Sequence, residues 1–422
     1  MTHAMRVAIE TLGCKLNQAE TETLARQFAA AGCEVVPPHE KADIYILNSC
    51  TVTHIADRKG RHFLRMAKRV NPDAFIVATG CYVNRAATEL NVIDGIKLVV
   101  SNEDKPRLTT LVLQCFDLSH MDTGQGHSLR TRAFIKAQDG CNRLCAYCIV
   151  PLVRGREKSL PVGEVVAEVR IRVAEGYQEV VLTGTEIGSY VFDGLRLKEL
   201  LERVLAETDI KRLRLSSLQP YEITPQLLAL WDNPRLCPHF HLSLQSGADS
   251  VLSRMKRGYN TAGYERAVGL IREAMSAAAI TTDIIVGFPG ETDAEFQEGL
   301  DYCHRTGFTR IHVFPFSARP GTVAAAMPGQ ISAPVKKERV GKMLALAKES
   351  ARAFHSRFLG RTVEVLWEQK SDAGVWSGYT ANYIRVYARS ERDLTNSLEP
   401  TQLVKLYGDG AWGELMRKDD AS

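Results

Sequence analysis

Short apolar runs and longer mixed stretches alternate along the first hundred or so residues of this chain. Arg6–Leu12, Asp43–Leu47, Ala74–Ala78 and Lys97–Val100 read as strands, and Gln18–Ala30 and Ala56–Val70 between them as helices. That order predicts a parallel sheet flanked by helices. A polar, aperiodic segment, Ser119–Thr131, reads as a linker. The alternation then resumes: Ala133–Ala137, Glu179–Thr183, Arg212–Ser216, His239–Leu244, Thr281–Val286 and Arg310–Phe314 are candidate strands with helical stretches between most of them. Successive βα units predict a complete or partial β/α barrel, with its chemistry at the C-terminal strand ends. Pro334–Phe358 is a basic amphipathic helix leading out of it. After Gly360 the pattern becomes short β-rich runs (Thr362–Glu368, Tyr383–Ala388, Gln402–Tyr407) broken by Gly, Asp and Ser, which suits a small all-β barrel. The expected fold class is α/β, with an open parallel α/β domain at 4–118, a partial (β/α) barrel at 127–357 and an all-β barrel at 358–422.

With 45% hydrophobic and 24% charged residues over 422 positions, the chain has the balance of a globular protein with several cores. No stretch approaches the ~20 apolar residues of a membrane helix, and Met1–Glu10 lacks a charged stretch followed by an apolar run. A cytoplasmic protein without a membrane partner is expected. A net charge of +4 is too modest to identify a nucleic-acid partner by itself. Ten cysteines change the picture more. Thiols of an unexported protein stay reduced, so the odds move from disulfides to metal sites.

Cys141, Cys145 and Cys148 fall in one loop just after the first barrel strand. Three thiolates at this spacing can hold three irons of a four-iron cluster and leave the fourth without a protein ligand. An open iron can chelate S-adenosylmethionine (SAM), whose one-electron cleavage gives a 5′-deoxyadenosyl radical. The competing reading is a zinc site, which usually takes a fourth Cys or His at finger-like spacing. The second set is dispersed: Cys14, Cys50 and Cys81 each follow a predicted strand. In an open α/β sheet such strand ends converge on one crevice. Cys33, Cys115, Cys237 and Cys303 have no such placement and read as small buried hydrophobes.

The Cys141-Asn-Arg-Leu-Cys145-Ala-Tyr-Cys148 loop resembles the radical SAM superfamily, and Thr11-Leu-Gly-Cys14-Lys-Leu-Asn17, Leu47-Asn-Ser-Cys50 and Thr79-Gly-Cys81 resemble the N-terminal domain of its methylthiotransferases. The tail around Gly378-Tyr-Thr-Ala-Asn-Tyr-Ile-Arg-Val is similar to a TRAM domain, a small RNA-binding barrel. The resemblance implies two [4Fe-4S] clusters, one on each cysteine trio, with the dispersed trio's cluster presenting sulfur. It implies SAM contacts from Thr183, Gly184, Thr185 and Glu186, from Ser243 and Gln245, and from Asp283. The reaction implied replaces an unactivated C–H bond, on C2 of a tRNA adenosine, with C–S–CH3. No protein base removes that hydrogen readily, so a radical route is the natural one.

Among the family's substrates, the segments Gly13–Gln18, Pro151–Ser159 and Arg214–Pro220 look most like the subfamily acting on N6-threonylcarbamoyladenosine at position 37 of tRNA. Gln219 and Leu152 depart from its pattern, which expects an acidic and an aromatic residue. The alternatives are N6-isopentenyladenosine, a ribosomal-protein aspartate or, outside enzymes, a zinc-dependent RNA-binding module. A substrate carboxylate would want a cation, for which Arg154, Arg156 and Arg319 are candidates. The expected partners are tRNA and an electron donor, not DNA. RNA contacts are expected from two basic helices (Arg58, Lys59, Arg61, Arg65, Lys68, Arg69; and Lys336, Lys337, Arg339, Lys342, Lys348, Arg352) and from Tyr379, Tyr383, Arg385 and Tyr387 of the tail.

Overall fold

In the computed structural model, which describes residues 4–116 and 131–416, the N-terminal apolar runs form a five-stranded sheet with all neighbouring strands parallel. Its strands are β1 (Arg6–Thr11), β2 (Glu34–Val36), β3 (Ile44–Ser49), β4 (Phe75–Gly80) and β5 (Ile96–Val100), in the spatial order β2-β1-β3-β4-β5. Every residue of β3 is buried, as befits a central strand covered on both faces. Helix α1 (Lys15–Ala30) follows β1, α2 (His54–Val70) follows β3, and α3 (Cys81–Asn91) follows β4; α4 (Leu108–Gln114) comes after β5. One core joins Phe63 and Leu64 of α2 and Tyr82 of α3 to Tyr45, Leu47 and Ile76 of the sheet. The other joins Phe28 of α1 and Leu108 and Val112 of α4 to Val7, Ile44, Ile46 and Val77. Residues of opposite parity along β3 thus serve opposite cores, the pattern of a sheet wound on both sides.

The first compact unit is not confined to this sheet. It comprises Met1–Leu129 together with Asp139–Lys158, which carries the clustered cysteines, and Ser317–Ala325. The second comprises Arg130–Gln138, Ser159–Phe316 and Ala326–Ser422. Packing therefore cuts the chain differently from the expected segments 4–118, 127–357 and 358–422. The reason is that two arginines of the inserted segments, Arg154 and Arg319, make buried ion pairs with Glu20 and Asp57 of the N-terminal region. The expected linker falls, apart from Thr131, outside the described residues.

The second unit begins with β6 (Arg132–Lys136), β7 (Glu179–Thr183) and β8 (Arg212–Leu215), a parallel sheet in the order β8-β7-β6. It continues through β9 (Ser217–Leu218) into a parallel sheet with β10 (His239–Leu242), β11 (Ala279–Val286) and β12 (Arg310–Pro315). The two sheets form the partial barrel, and its helices, among them α5 (Val162–Ala174), α6 (Leu197–Glu207), α7 (Thr261–Ala274) and α8 (Asp293–Thr306), share one apolar core with the outward faces of the strands. The basic helix α9 (Ala333–Ser356) leads to the tail. There β13 (Thr362–Lys370), β14 (Val375–Thr380), β15 (Arg385–Arg389), β16 (Leu398–Tyr407) and β17 (Gly410–Leu415) close a barrel of the TRAM type, in the order β13-β14-β15-β17-β16. Phe354 and Phe358 join Trp367, Trp376, Val386 and Leu403 in its core, so the helix and the barrel are one packing unit.

The expected strand starting at Tyr383 begins instead at Arg385, because Tyr383 itself takes a left-handed φ of 68° in the turn between β14 and β15. Strands β2, β9, β14 and β17 had no sequence prediction. Glu34–Val36 is only three residues long, and Val375–Thr380 and Gly410–Leu415 each carry glycines that blur their alternation.

Candidate cluster sites and strand-end residues

Each dispersed cysteine sits where a strand hands over to a helix. Cys14 is the N-cap of α1, and Cys81 is the first residue of α3. Cys50 follows β3 by one residue, shortly before α2, which is capped by the Thr53 side chain. Helix N-termini favour negative charge, so these positions suit thiolate ligands. The three lie within reach of one another's charge, and Cys50 crowds the residue before Cys14: a Cβ added at Gly13 would lie 2.6 Å from Cys50 Cβ and 3.0 Å from its Sγ. Burial raises the Cys50 thiol to about 12, and the charges of Cys81 and Cys14 push it the same way. Cys14 is solvent-exposed and within reach of the Arg154 charge. A thiol raised like that of Cys50 ionises poorly alone and is deprotonated by bound metal cations. With thiol donors and a close glycine approach at Gly13, the residues fit an iron–sulfur cluster.

Two asparagines hold the strand ends in place. Asn17 Nδ2 donates to the carbonyls of Leu12 (2.8 Å) and Ser49 (3.0 Å), tying the ends of β1 and β3 together. Asn48 Nδ2 donates to the Asn17 carbonyl at 2.9 Å, and its Oδ1 accepts from Lys105 Nζ at 3.1 Å. Gly80 bends the end of β4 with φ 95°, where a Cβ would lie 2.4 Å from the Ser49 carbonyl. Both asparagines lay inside the quoted motifs, but nothing in the sequence distinguished a scaffold role from a ligand role.

The clustered trio occupies a loop of the same unit. Gly140, φ 70°, precedes it at a spot where a Cβ would meet the Arg156 carbonyl at 2.1 Å. Cys141 N donates to the Gly155 carbonyl (3.2 Å), Arg143 N to Cys141 Sγ (3.3 Å) and Cys148 N to the Cys145 carbonyl (3.0 Å). The loop runs into a short helix, Val150–Arg154, that docks on the sheet domain. Ile149 and Val153 pack on Cys81, and Asn102 Nδ2 donates to the Val153 carbonyl at 2.9 Å. The four remaining cysteines are placed elsewhere. Cys33 lies in the core beside α1, Cys115 donates to the Leu111 carbonyl, and Cys237 and Cys303 are buried in the second unit, where burial pushes each thiol up to about 12.

Arg154 was expected as a substrate cation, and the structure engages it with the protein instead. Its guanidinium donates to Glu20 (3.0 Å), to Asp139 (3.0 Å) and to Asn17 Oδ1 (2.6 Å), with the side chain 3% exposed. Glu20 also receives Lys105 Nζ at 2.6 Å. This network fastens the cysteine loop to the helix that Cys14 caps. Arg156 is exposed. Arg319 donates through Nη2 to Asp57 (2.6 Å) and Thr51 (2.9 Å), whereas its Nε and Nη1 are buried without a hydrogen-bond partner. Arg85 shares Asp57 at 3.3 Å. Two donors kept from solvent and unsatisfied mark a place for an anion or carbonyl acceptor.

In the second unit, the residues expected to contact SAM, Asp283 excepted, stand at or near the C-terminal strand ends. Thr183 closes β7, and Gly184 follows with its amide on Ser216 Oγ at 3.3 Å; a Cβ there would lie 2.6 Å from Gln138 Oε1. Thr185 Oγ1 is buried with no hydrogen-bond partner. Glu186 accepts from Tyr221 OH at 2.7 Å. Ser243 and Gln245 follow β10, and Gln245 holds a left-handed φ of 72° while exchanging hydrogen bonds with the backbone of Asp283 and Ile285. A non-glycine residue in that conformation is held there by its surroundings, as is common at ligand clamps. Asp283 lies mid-strand in β11, 3.2 Å from His241 Nε2, and His312 of β12 lies close by. Sequence reading missed both histidines, because alternate positions of a strand look alike until its inner face is known. Of the two departures noted, Gln219 Oε1 accepts from Arg257 Nη2 at 2.5 Å, and Leu152 is 59% exposed.

Several expected RNA contacts are spent inside the protein. Arg339 is buried against Glu291 (2.7 Å) and Asp293 (2.8 Å), Arg61 donates to Tyr82 OH (2.6 Å), and Tyr383 is packed by Arg132 and Arg214. Arg58, Lys59, Arg65, Arg69, Lys337, Lys342, Lys348 and Arg352 are exposed. Among the described residues, no helix is long and apolar enough to cross a membrane.

Comparison with known proteins matches residues 6–101 to an uncharacterised protein family, UPF0004, and residues 135–303 to the radical SAM superfamily. The threonylcarbamoyladenosine tRNA methylthiotransferase of Bacillus subtilis is 34% identical, the match covering 98% of this chain and 97% of that protein. Its namesake from Aquifex aeolicus is 36% identical over 92% of this chain and 98% of its own length. A tRNA-2-methylthio-N(6)-dimethylallyladenosine synthase from Syntrophotalea carbinolica is 32% identical over 96% and 98%. Among solved structures, the radical S-adenosylmethionine methyltransferase TsrM of Kitasatospora setae, with cobalamin and a [4Fe-4S] cluster bound, shares the fold at TM-score 0.57 and 16% identity, over 76% of this chain and 74% of that one. With near full-length relatives above 30% identity, the chain belongs to the radical SAM tRNA methylthiotransferase family.

Proposed function

We propose that this protein methylthiolates C2 of N6-threonylcarbamoyladenosine at position 37 of tRNA, beside the anticodon. The observation that carries the reading is the pair of cysteine trios within one compact unit, each on a different scaffold. Cys141, Cys145 and Cys148 would hold one [4Fe-4S] cluster and Cys14, Cys50 and Cys81 the other. When bound, the clusters and SAM supply the one-electron cleavage, the methyl group and the sulfur.

The protein's own residues bind and orient. Thr185, with its unsatisfied hydroxyl, and Glu186, fixed by Tyr221, are suited to the polar groups of the SAM nucleoside and amino-acid moieties. Gln245, whose backbone is clamped by Asp283 and Ile285, stands just past the end of β10, where its amide is suited to a SAM contact. Arg319 is suited to the threonyl carboxylate, because two of its donors await an acceptor while Asp57 and Thr51 hold the third nitrogen still. The exposed basic faces of α2 and α9 suit phosphate contacts. The threonylcarbamoyl substrate is favoured by the names of the relatives from Bacillus subtilis and Aquifex aeolicus.

Nucleoside mass spectrometry of tRNA from cells lacking the protein tests this. Loss of the 2-methylthio form of N6-threonylcarbamoyladenosine, with 2-methylthio-isopentenyladenosine intact, is expected. The reverse pattern would assign the isopentenyl substrate.

A further inference from the structure

The turn between β14 and β15 carries the tail barrel against the first residues of the β/α barrel strands. Arg212 donates to the carbonyls of Tyr379 (2.9 Å) and Glu364 (2.7 Å), and Arg214 to that of Ala381 (2.9 Å). Arg132 of β6 donates to Tyr383 OH at 2.8 Å and pairs with Glu368 at 2.6 Å. Arg214 is in turn locked to Glu179, both side chains 0% exposed. Tyr383 lies among them in its left-handed conformation, its ring 4.9 Å from that of Tyr379, 4.7 Å from that of His239 and 4.6 Å from the Arg214 guanidinium. A bulky residue keeps a positive φ only where several neighbours enforce it.

From Tyr383 a chain of contacts climbs the inner face of β10 and β11. Phe240, Leu242, Ile280 and Ile284 face the apolar core, so by alternation His239, His241, Thr281 and Asp283 share the opposite face. His239 Nε2 lies 3.3 Å from Thr281 Oγ1, Thr281 Oγ1 3.0 Å from His241 Nδ1, and His241 Nε2 3.2 Å from Asp283 Oδ2. With both histidines neutral, one set of protons satisfies every link. His239 Nε2–H donates to Thr281, the Thr281 hydroxyl donates to His241 Nδ1, and His241 Nε2–H donates to the Asp283 carboxylate. In that state the chain sets a tautomer and a ring orientation at each step, beginning at a tail residue and ending at Asp283.

We propose that Tyr383 is a positioning residue for the reaction, acting through His239, Thr281 and His241 on the Asp283 carboxylate, so that the tail is a structural part of the catalytic barrel. This rests on the assignment of Asp283 to the SAM site. The tail therefore does more than hold RNA: deleting it removes the support of the barrel strands.

The test uses the full chain with reconstituted iron, reading 5′-deoxyadenosine formation under dithionite without RNA, iron content and tRNA affinity. Tyr383→Ala should lower kcat/KM for SAM about tenfold, whereas Tyr383→Phe, which keeps the ring stacking, should stay within about threefold of the parent. Iron content should not change, because no proposed cluster ligand lies in this unit. Thr281→Val cuts the chain in its middle without touching the tail and should give a similar loss. The double variant should be no worse than Thr281→Val alone, the non-additivity expected of residues in one network. Normal SAM cleavage by Tyr383→Ala with only tRNA affinity reduced would overturn the proposal, and so would additive losses in the double variant. Failure of the underlying site assignment looks different: Asp283→Asn would then keep full SAM cleavage.

Discussion

The two cysteine trios are built by opposite means. Cys141, Cys145 and Cys148 need only one loop, bent at Gly140 and closed by the Cys141–Gly155 hydrogen bond. Cys14, Cys50 and Cys81 need three strands in register, two asparagines lashing their ends and a glycine at Gly80 to turn the last one. A local loop keeps its ligand geometry through modest changes in the fold around it, whereas a strand-end trio inherits every error of the sheet. Yet the two are coupled, because Arg154 at the end of the local motif is neutralised by Glu20 and Asp139 and bonded to Asn17, the asparagine that ties β1 to β3.

The comparison can be broken most sharply at Cys145. Cys145→Ala should abolish 5′-deoxyadenosine formation and lower bound iron by about half, since each proposed site would hold about four irons. Loss of nearly all the iron would show that the strand-end trio does not stand without the loop. Cys50→Ala should give the complementary result. It should still form 5′-deoxyadenosine under strong reductant but no methylthio-adenosine in tRNA, as read by liquid chromatography and mass spectrometry of both products. Methylthiolation at the parent rate would make Cys50 a buried thiol with no ligand role.

Weaker, but aimed at the coupling itself, is Arg154→Ala. It takes the guanidinium away from Glu20, Asp139 and Asn17 in a buried setting while Lys105 stays on Glu20, and should destabilise the first unit by about 1–3 kcal/mol in denaturant unfolding. Arg154→Met should recover little, because methionine restores none of those hydrogen bonds. Unchanged stability would mean that the loop is held without Arg154, by contacts such as those of Ile149, Val153 and Asn102.

The smallest effect concerns the second unit, which holds neither trio. Burial would raise the Glu179 carboxyl, but the Arg214 guanidinium outweighs it and holds the group below the ordinary glutamate value. In the unfolded chain Glu179 titrates normally, so its stabilising contribution is complete above that value and is lost as pH falls through the lower folded one. Acid titration followed by circular dichroism should show Tm falling by a few degrees in that window. Glu179→Gln should flatten this limb while lowering stability at neutral pH.

Periodicity placed the barrel strands within a residue or two for β6, β7 and β8, from the short apolar runs Ala133–Ile135 and Val180–Leu182 and the strict alternation of Arg and Leu over 212–215. It erred at Tyr383, where a tertiary cradle of arginines and His239 imposes a conformation that no local pattern encodes. The same blindness assigned Arg154, Arg339 and Tyr383 to substrate or RNA. A cation or aromatic written in sequence looks available until its buried partner, Glu20, Glu291 or Arg132, is folded against it from tens to hundreds of residues away.

What local sequence settles here is chemistry carried by spacing: three thiols within eight residues, cysteines just past strand ends, and the order of strands and helices that makes an α/β unit, a partial barrel and a tail. These follow from short-range geometry and periodic burial, which a linear chain states directly. The unit in which the cysteine loop packs, the choice of arginines that remain open to a ligand, and the joining of the tail to Asp283 through Tyr383 were decided only in three dimensions. Each depends on charges and rings brought together across long separations, and buried electrostatics takes its sign and strength from partners the sequence does not place side by side.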